Sequence, residues 1–179
     1  MKRTTYVTQA AIIAAAYLAL TMLVAPIAWG PIQFRLSEAL CILPAFTPAA
    51  VPGLTVGCVL FNILNPENLG PIDIIFGSLA TLLAAVLTRL IARHLRPTVG
   101  ALTIGDLKTW LLPLPPVVMN GLIVGSYLPF LLPGEGRTLT VILGSMLSVI
   151  VCEAVVTYVI GIPILLLIAR SKALQAYLY

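Results

Sequence analysis

The sequence predicts an all-α protein, an integral membrane bundle of about six helices, each taking roughly 20 mostly apolar residues. Three observations lead there. Of 179 residues, 60% are hydrophobic and 9% are charged, against roughly 45–50% and 25% in an ordinary water-soluble domain. The apolar residues come in long runs punctuated by proline and glycine, and the basic residues cluster at the two ends and at one place mid-chain. A water-soluble fold of this composition would lack the polar surface to cover itself. That excludes a cytoplasmic enzyme, a disordered chain and a nucleic-acid-binding module. Six helices would use roughly 120 residues and leave about 60 for connections, so a single domain over residues 1–179 is expected.

The first helix is predicted over about residues 6–24, ended by Pro26, Gly30 and Pro31. Lys2 and Arg3 followed by an apolar run resemble a signal peptide, but the run is long and several more follow, so a retained helix is expected. A second, short helix covers about 36–46 and a third about 49–63, with Pro44, Pro48 and Pro52 around the return. Both are short for independent spans, so neighbouring helices must shelter their ends. A fourth covers about 72–93, and residues 100–108 form a connection. A fifth covers about 115–132, starting at Pro115-Pro116, where a missing N–H costs nothing. The sixth, about 138–170, exceeds a ~30 Å hydrocarbon core at 1.5 Å per residue. It must tilt, bend near Gly161 and Pro163, or protrude.

Lys2, Arg3, Arg89, Arg93, Arg96, Lys108, Arg170 and Lys172 lie at the ends and in the mid-chain connection; Arg35 and Arg137 lie elsewhere. Cytoplasmic segments are enriched in Lys and Arg. An even number of spans then places both termini in the cytoplasm. Topology accounts for these charges without any nucleic acid.

A charge in the bilayer interior costs at least about 2.5–3.5 kcal/mol, so few are expected without a use. The informative set is Arg35, Glu38, Asn62, Asp73, Asn120 and Glu153. Arg35 and Glu38 open the second helix, Asn62 nears the end of the third and Asp73 opens the fourth, which places these four in one outer layer. Asn120 and Glu153 fall at similar depth in the inner half. No Lys or Arg is placed by the sequence to pair with Glu153. Plainer readings stand beside these. Arg35 and Glu38 can satisfy each other, Asp73 can cap the fourth helix, and the asparagines can be interhelical glue. Cys41, Cys58 and Cys152 are isolated and read as small hydrophobes.

Ala10, Ala11, Ala14, Ala15 and Ala19 give the first helix small-xxx-small spacings that permit close helix approach, inside this bundle or against a partner. The chain carries no phosphate-binding G-x-x-x-x-G-K-[ST] loop, no H-E-x-x-H and no G-x-S-x-G. His94, the one histidine, sits among arginines at a helix end. No enzyme, metal site or cofactor is expected; uphill transport would draw on an ion gradient or a partner.

The stretch Ile32-Gln33-Phe34-Arg35-Leu36-Ser37-Glu38-Ala39-Leu40, with Leu43-Pro44-Ala45-Phe46-Thr47-Pro48, Pro52-Gly53-Leu54 and Gly57-Cys58, resembles the QueT family, as does Asp73-Ile74-Ile75-Phe76-Gly77-Ser78-Leu79-Ala80-Thr81-Leu82. These are substrate-binding (S) subunits of energy-coupling-factor (ECF) transporters, associated with queuosine precursors. The resemblance covers about residues 4–170. It implies a six-helix S-component fold in the cell membrane, an outward pocket, and the loop Ala25–Phe34 as its lid. It also implies a transmembrane coupling subunit and two cytoplasmic ATPases as partners, with Ala10, Ala14 and Ala15 carried over to the coupling face.

A 7-deazaguanine presents adjacent N–H, amino and carbonyl groups on a flat ring. A carboxylate accepts the donors, an amide or Arg donates to the carbonyl, and an aromatic ring stacks. Glu38 is the first choice for the donor edge, Asn62 and Asn120 support it, and Glu153 is the alternative carboxylate. Arg35 serves the carbonyl, and Trp29 and Phe34 offer aromatic faces. Asp73 or Glu153 could meet an aminomethyl cation. The competing expectations are an ECF S subunit for another vitamin-like cargo, a stand-alone ion-coupled secondary transporter, and an intramembrane scaffold.

Overall fold

The computed structural model describes residues 3–28, 33–64, 69–95, 102–132, 138–171 and 173–174. Among them the chain forms helices and turns and no strand. Four helical stretches are long and apolar enough to cross a membrane: Arg3–Leu23, Asp73–Leu95, Leu107–Leu131 and Leu139–Arg170. Burial is inverted relative to a soluble protein. Val159 and Leu167 are each 65% exposed and Leu147 is 61% exposed, whereas Glu38 is 0% and Glu153 4% exposed. Apolar surface on this scale suits lipid.

Helix α1 (Arg3–Leu23) lies against α3 (Ala50–Leu64). The contact is close because Gly53 and Gly57 lie one turn apart on α3 and present bare backbone. A Cβ on Gly53 would lie 2.8 Å from the Ala10 carbonyl oxygen, and one on Gly57 2.8 Å from Tyr17 Cβ. A four-residue helix, α2 (Ala25–Ala28), follows α1.

The second predicted helix is not an α-helix. Leu36–Ala45 is a ten-residue 3₁₀ segment with Pro44 inside it. Runs of this length are uncommon in 3₁₀ geometry, and at about 2.0 Å per residue they reach further than an α-helix of equal length. All but Leu36 and Leu40 are buried, wrapped by α4 (Ser78–Leu95), residues 155–161, α1 and α3. Arg89 closes its far end, with Nη1 donating to the carbonyls of Pro44 at 3.1 Å and Ala45 at 3.4 Å. Nearby, Thr47 Oγ1 donates to buried Gln9 Oε1 at 3.0 Å. Tyr17, Ile42, Phe46, Leu54 and Leu165 pack the apolar core.

Helix α4 is entered through a π-helical turn, Asp73–Gly77. The fifth predicted helix starts where the prolines suggest, as α6 (Leu114–Leu131) with Pro115 and Pro116 in its first turn, and a short α5 (Leu107–Leu111) precedes it. The last predicted helix is α7 (Leu139–Ala154), a π-helical segment Val155–Gly161, and α8 (Ile162–Arg170). The sequence left tilt, a bend or protrusion open; a seven-residue wide-turn segment takes up part of the excess. Gly121 and Gly125 bring α6 onto α7, where a Cβ on Gly125 would lie 2.5 Å from Met146 Cα.

Candidate functional site

Polar side chains gather at the end of the bundle where α1 and α3 finish and the 3₁₀ segment and α4 begin. The 3₁₀ segment carries Glu38 inward, and α1 brings Tyr17 to meet it. Tyr17 OH donates to Glu38 Oε1 at 2.5 Å, and Cys41 Sγ–H donates to Oε2 at 2.9 Å. Thr21 Oγ1 donates to Ser37 Oγ at 2.6 Å one turn further out.

Arg35 precedes the 3₁₀ segment and is buried. Nη2 donates to Gln33 Oε1 at 2.9 Å, Nη1 to Cys58 Sγ at 3.9 Å, and the guanidinium sits 5.5 Å from the centre of the Phe61 ring, within cation–π range. Gln33 holds a left-handed backbone, φ +46°, while its side chain orients Arg35. Cys58 also accepts from Asn62 Nδ2 at 3.7 Å and from Thr81 Oγ1 at 3.4 Å. Asn62 Nδ2 further donates to the Asp73 carbonyl at 3.2 Å, and Tyr127 OH donates to Asp73 Oδ1 at 2.6 Å. Gly77 leaves room at this convergence: a Cβ there would lie 3.1 Å from Asn62 Nδ2, 3.2 Å from Tyr127 OH and 3.4 Å from Asp73 Oδ1.

Deeper, Asn120 Nδ2 on α6 donates to Glu153 Oε1 on α7 at 2.9 Å. Asn120 and Glu153 are both buried, as Glu38 and Arg35 are. Both π-helical segments adjoin carboxylates, one starting at Asp73 and the other two residues after Glu153. Such wide turns recur at functional sites.

Among the described residues, four buried side-chain polar atoms have no hydrogen-bond partner: Arg35 Nε, Asn62 Oδ1, Ser78 Oγ and Glu153 Oε2. Each costs about 1–3 kcal/mol when left so. One is an obligate donor, one an acceptor, and a hydroxyl or carboxyl oxygen is either.

Several expectations are corrected. Arg35 and Glu38 do not satisfy each other; each is turned to other partners, because the 3₁₀ path carries Glu38 towards α1. Asp73 is no cap for α4, since its carboxylate reaches across to α6. Cys41 and Cys58 are buried but act as hydrogen-bonding groups. Ala14 is buried, with its carbonyl oxygen 2.9 Å from where a Gly57 Cβ would be, so that position serves packing inside the chain. Ala10 is half-buried and Ala15 is exposed. Phe34 is half-buried, its N–H donating to the Ile27 carbonyl at 3.0 Å. Trp29 lies outside the described residues.

Tyr17, Gln33, Thr81 and Tyr127 were missed from the sequence. The available signal for both tyrosines was a phenol within an apolar helix, which needs a polar acceptor when buried. Gln33 and Thr81 lie inside the stretches that carry the family resemblance, but no local pattern marks them as site residues.

The family model described as QueT transporter matches residues 7–170. This chain belongs to the QueT transporter family. Over 74 residues it is 40% identical to the Queuosine precursor transporter QueT of Lactococcus lactis subsp. cremoris (strain MG1363). That alignment spans 40% of this chain and 42% of the relative, under half the relative's length. No solved structure matches this QueT-family chain.

Proposed function

We propose that this QueT-family chain is the substrate-binding membrane subunit of an ATP-driven ECF importer and captures a 7-deazaguanine-type queuosine precursor from outside. The observation that carries this reading is the set of unpartnered buried atoms, Arg35 Nε, Asn62 Oδ1, Ser78 Oγ and Glu153 Oε2. A 7-deazaguanine edge complements that set: its carbonyl accepts from Arg35 Nε–H, and its ring N–H and amino group donate to Asn62 Oδ1 and Glu153 Oε2. Three carboxyl groups, Glu38, Asp73 and Glu153, and one guanidinium, Arg35, are buried, which favours a donor-rich ligand. The name of the Lactococcus relative supports the same cargo.

In this reading Glu153, with a free oxygen, holds the donor edge. Glu38, whose two oxygens already receive protein donors, shapes the site, and Asn120 fixes Glu153. Tyr127 holds the Asp73 carboxylate, and Phe34 belongs to the covering loop. The chain is a six-helix bundle of the plasma membrane with both termini cytoplasmic, supported by the Lys and Arg distribution. Exposed Ala15 on α1 faces a transmembrane coupling subunit, which works with two ATPases. Hydrolysis belongs to those partners.

The test is uptake in cells lacking queuosine-precursor synthesis, with and without a coupling module, alongside mass spectrometry of ligand retained by the purified chain. Module-dependent uptake and a retained 7-deazaguanine are expected. Uptake without any ATPase partner would overturn the ECF reading, and a retained vitamin would overturn the cargo.

A further inference from the structure

Cys58 lies where the two unpartnered recognition groups of α3 and the 3₁₀ entry meet. Arg35 has three donor-bearing nitrogens, and the structure uses two. Nη2 goes to Gln33 Oε1 at 2.9 Å and Nη1 goes to Cys58 Sγ at 3.9 Å, leaving Nε bare. Asn62 shows the complementary pattern. Its Nδ2 goes to Cys58 Sγ at 3.7 Å and the Asp73 carbonyl at 3.2 Å, leaving Oδ1 bare. Both side chains are more than nine-tenths buried. Thr81 Oγ1 shares its one proton between the same sulfur at 3.4 Å and the Gly77 carbonyl at 3.3 Å.

One sulfur therefore accepts from three side chains on three separate elements. A thiol is a weak acceptor, so these bonds hold little energy individually. Their effect is orientation: with Nη1 and Nδ2 both turned onto Sγ, the planar guanidinium and amide have their remaining donor and remaining acceptor set by geometry. A bare N–H and a bare C=O on two side chains held by one sulfur are the complement of a lactam, in which a ring carbonyl sits next to a ring N–H.

We infer that Cys58 is a positioning residue for ligand recognition, its sulfur holding Arg35 and Asn62 so that Arg35 Nε–H and Asn62 Oδ1 engage the lactam edge of the ligand. This rests on the functional reading above and deepens it by naming what sets the specificity for that edge.

The experiment measures binding of two probes to the full chain in detergent by calorimetry. One probe is 7-aminomethyl-7-deazaguanine, and the other is its analogue lacking the ring carbonyl. The variants are Cys58→Ala and Cys58→Ser, each with a thermal unfolding curve. Cys58→Ala is expected to weaken the carbonyl-bearing probe about tenfold, the scale of one hydrogen bond to a charged group. The same variant is expected to leave the carbonyl-lacking probe within about twofold, since without its carbonyl the ring also loses the adjacent N–H and uses neither Arg35 Nε nor Asn62 Oδ1. Cys58→Ser, which retains an acceptor, is expected to recover most of the loss. Equal weakening of both probes, or no weakening of either, would overturn the positioning role while leaving the functional reading intact. Failure of the unaltered chain to bind the first probe would overturn that reading and this inference with it.

Discussion

Asn120 Nδ2 donates to Glu153 Oε1 across the α6–α7 contact at 2.9 Å and leaves Glu153 Oε2 buried without a partner. The asparagine holds one oxygen and so presents the other. Glu38 is the opposite case, because Tyr17 and Cys41 donate to both of its oxygens. Two buried carboxyl groups in one interior thus differ in what they have left to offer a ligand.

Glu153→Gln is expected to raise the Kd for a 7-deazaguanine by roughly 10- to 100-fold, because the amide presents N–H donors in place of Oε2 and leaves a buried ligand donor unpaired, at about 1–3 kcal/mol. The glutamine carbonyl can still accept from Asn120, so folding is retained. Glu38→Gln is expected to act mainly on stability, costing about 1–3 kcal/mol as one donor of Tyr17 or Cys41 loses its acceptor. Calorimetry paired with thermal unfolding separates the two. A larger affinity loss in Glu38→Gln would reverse this ranking, and unchanged affinity in both would remove carboxylate recognition altogether.

Gly125→Ala is expected to destabilise the α6–α7 contact by about 1–3 kcal/mol, the usual range for overpacking. The new methyl would meet Met146 Cα at 2.5 Å, and backbone cannot rotate aside. Gly144→Ala on α7 is the matched control. Its Cβ meets nothing within 4 Å, so the variant is expected to be neutral or slightly stabilising through helix propensity. Equal melting temperatures for the two variants would contradict the packing described.

Asp106 precedes α5 without capping it. Its Oδ2 accepts instead from the Thr103 N–H at 2.8 Å and Thr103 Oγ1 at 2.9 Å. These bonds hold the exposed carboxyl below its ordinary value. A depressed folded value stabilises the turn above the unfolded carboxylate range, near pH 4. That contribution is lost as pH falls through the folded value. The Thr103 amide resonance is expected to titrate with a midpoint below that of a free aspartate and to stop titrating in Asp106→Asn. A midpoint at or above the free value would show that the bonds do not form.

Ala14 and Ala15 adjoin on α1 but face different surroundings. Ala14→Trp is expected to reduce stability and expression, because the indole would enter the seam with α3. Ala15→Trp is expected to leave folding and ligand binding unchanged while abolishing co-purification with a coupling subunit. Intact co-purification of Ala15→Trp would remove this face from the proposed partner contact.

Composition and depth made much of this protein legible. Long apolar runs required lipid, and the rarity of charge within them marked Arg35, Glu38, Asn62, Asp73, Asn120 and Glu153 as worth explaining. Counting residues from each helix end placed Asn120 and Glu153 at similar depth, and they are bonded to one another. Partners were less legible. Whether Asp73 caps α4 or reaches Tyr127 depends on how α4 and α6 are rotated about their axes, and no local pattern records that rotation. The 3₁₀ path of Leu36–Ala45 was equally hidden, because it depends on the tight sleeve of α4, residues 155–161, α1 and α3 around it rather than on helix propensity.

The amino-acid order alone established that this chain lives in lipid, that it is helical, and which side chains are costly to keep there. Those follow from transfer free energies, which each segment carries wherever it is placed. Which carboxyl group is satisfied and which is left open emerged only with helix rotation and glycine-mediated approach. Hydrogen bonds act over about 3 Å, and only assembled helices bring Tyr17 to Glu38, Asn120 to Glu153, and three donors to the sulfur of Cys58.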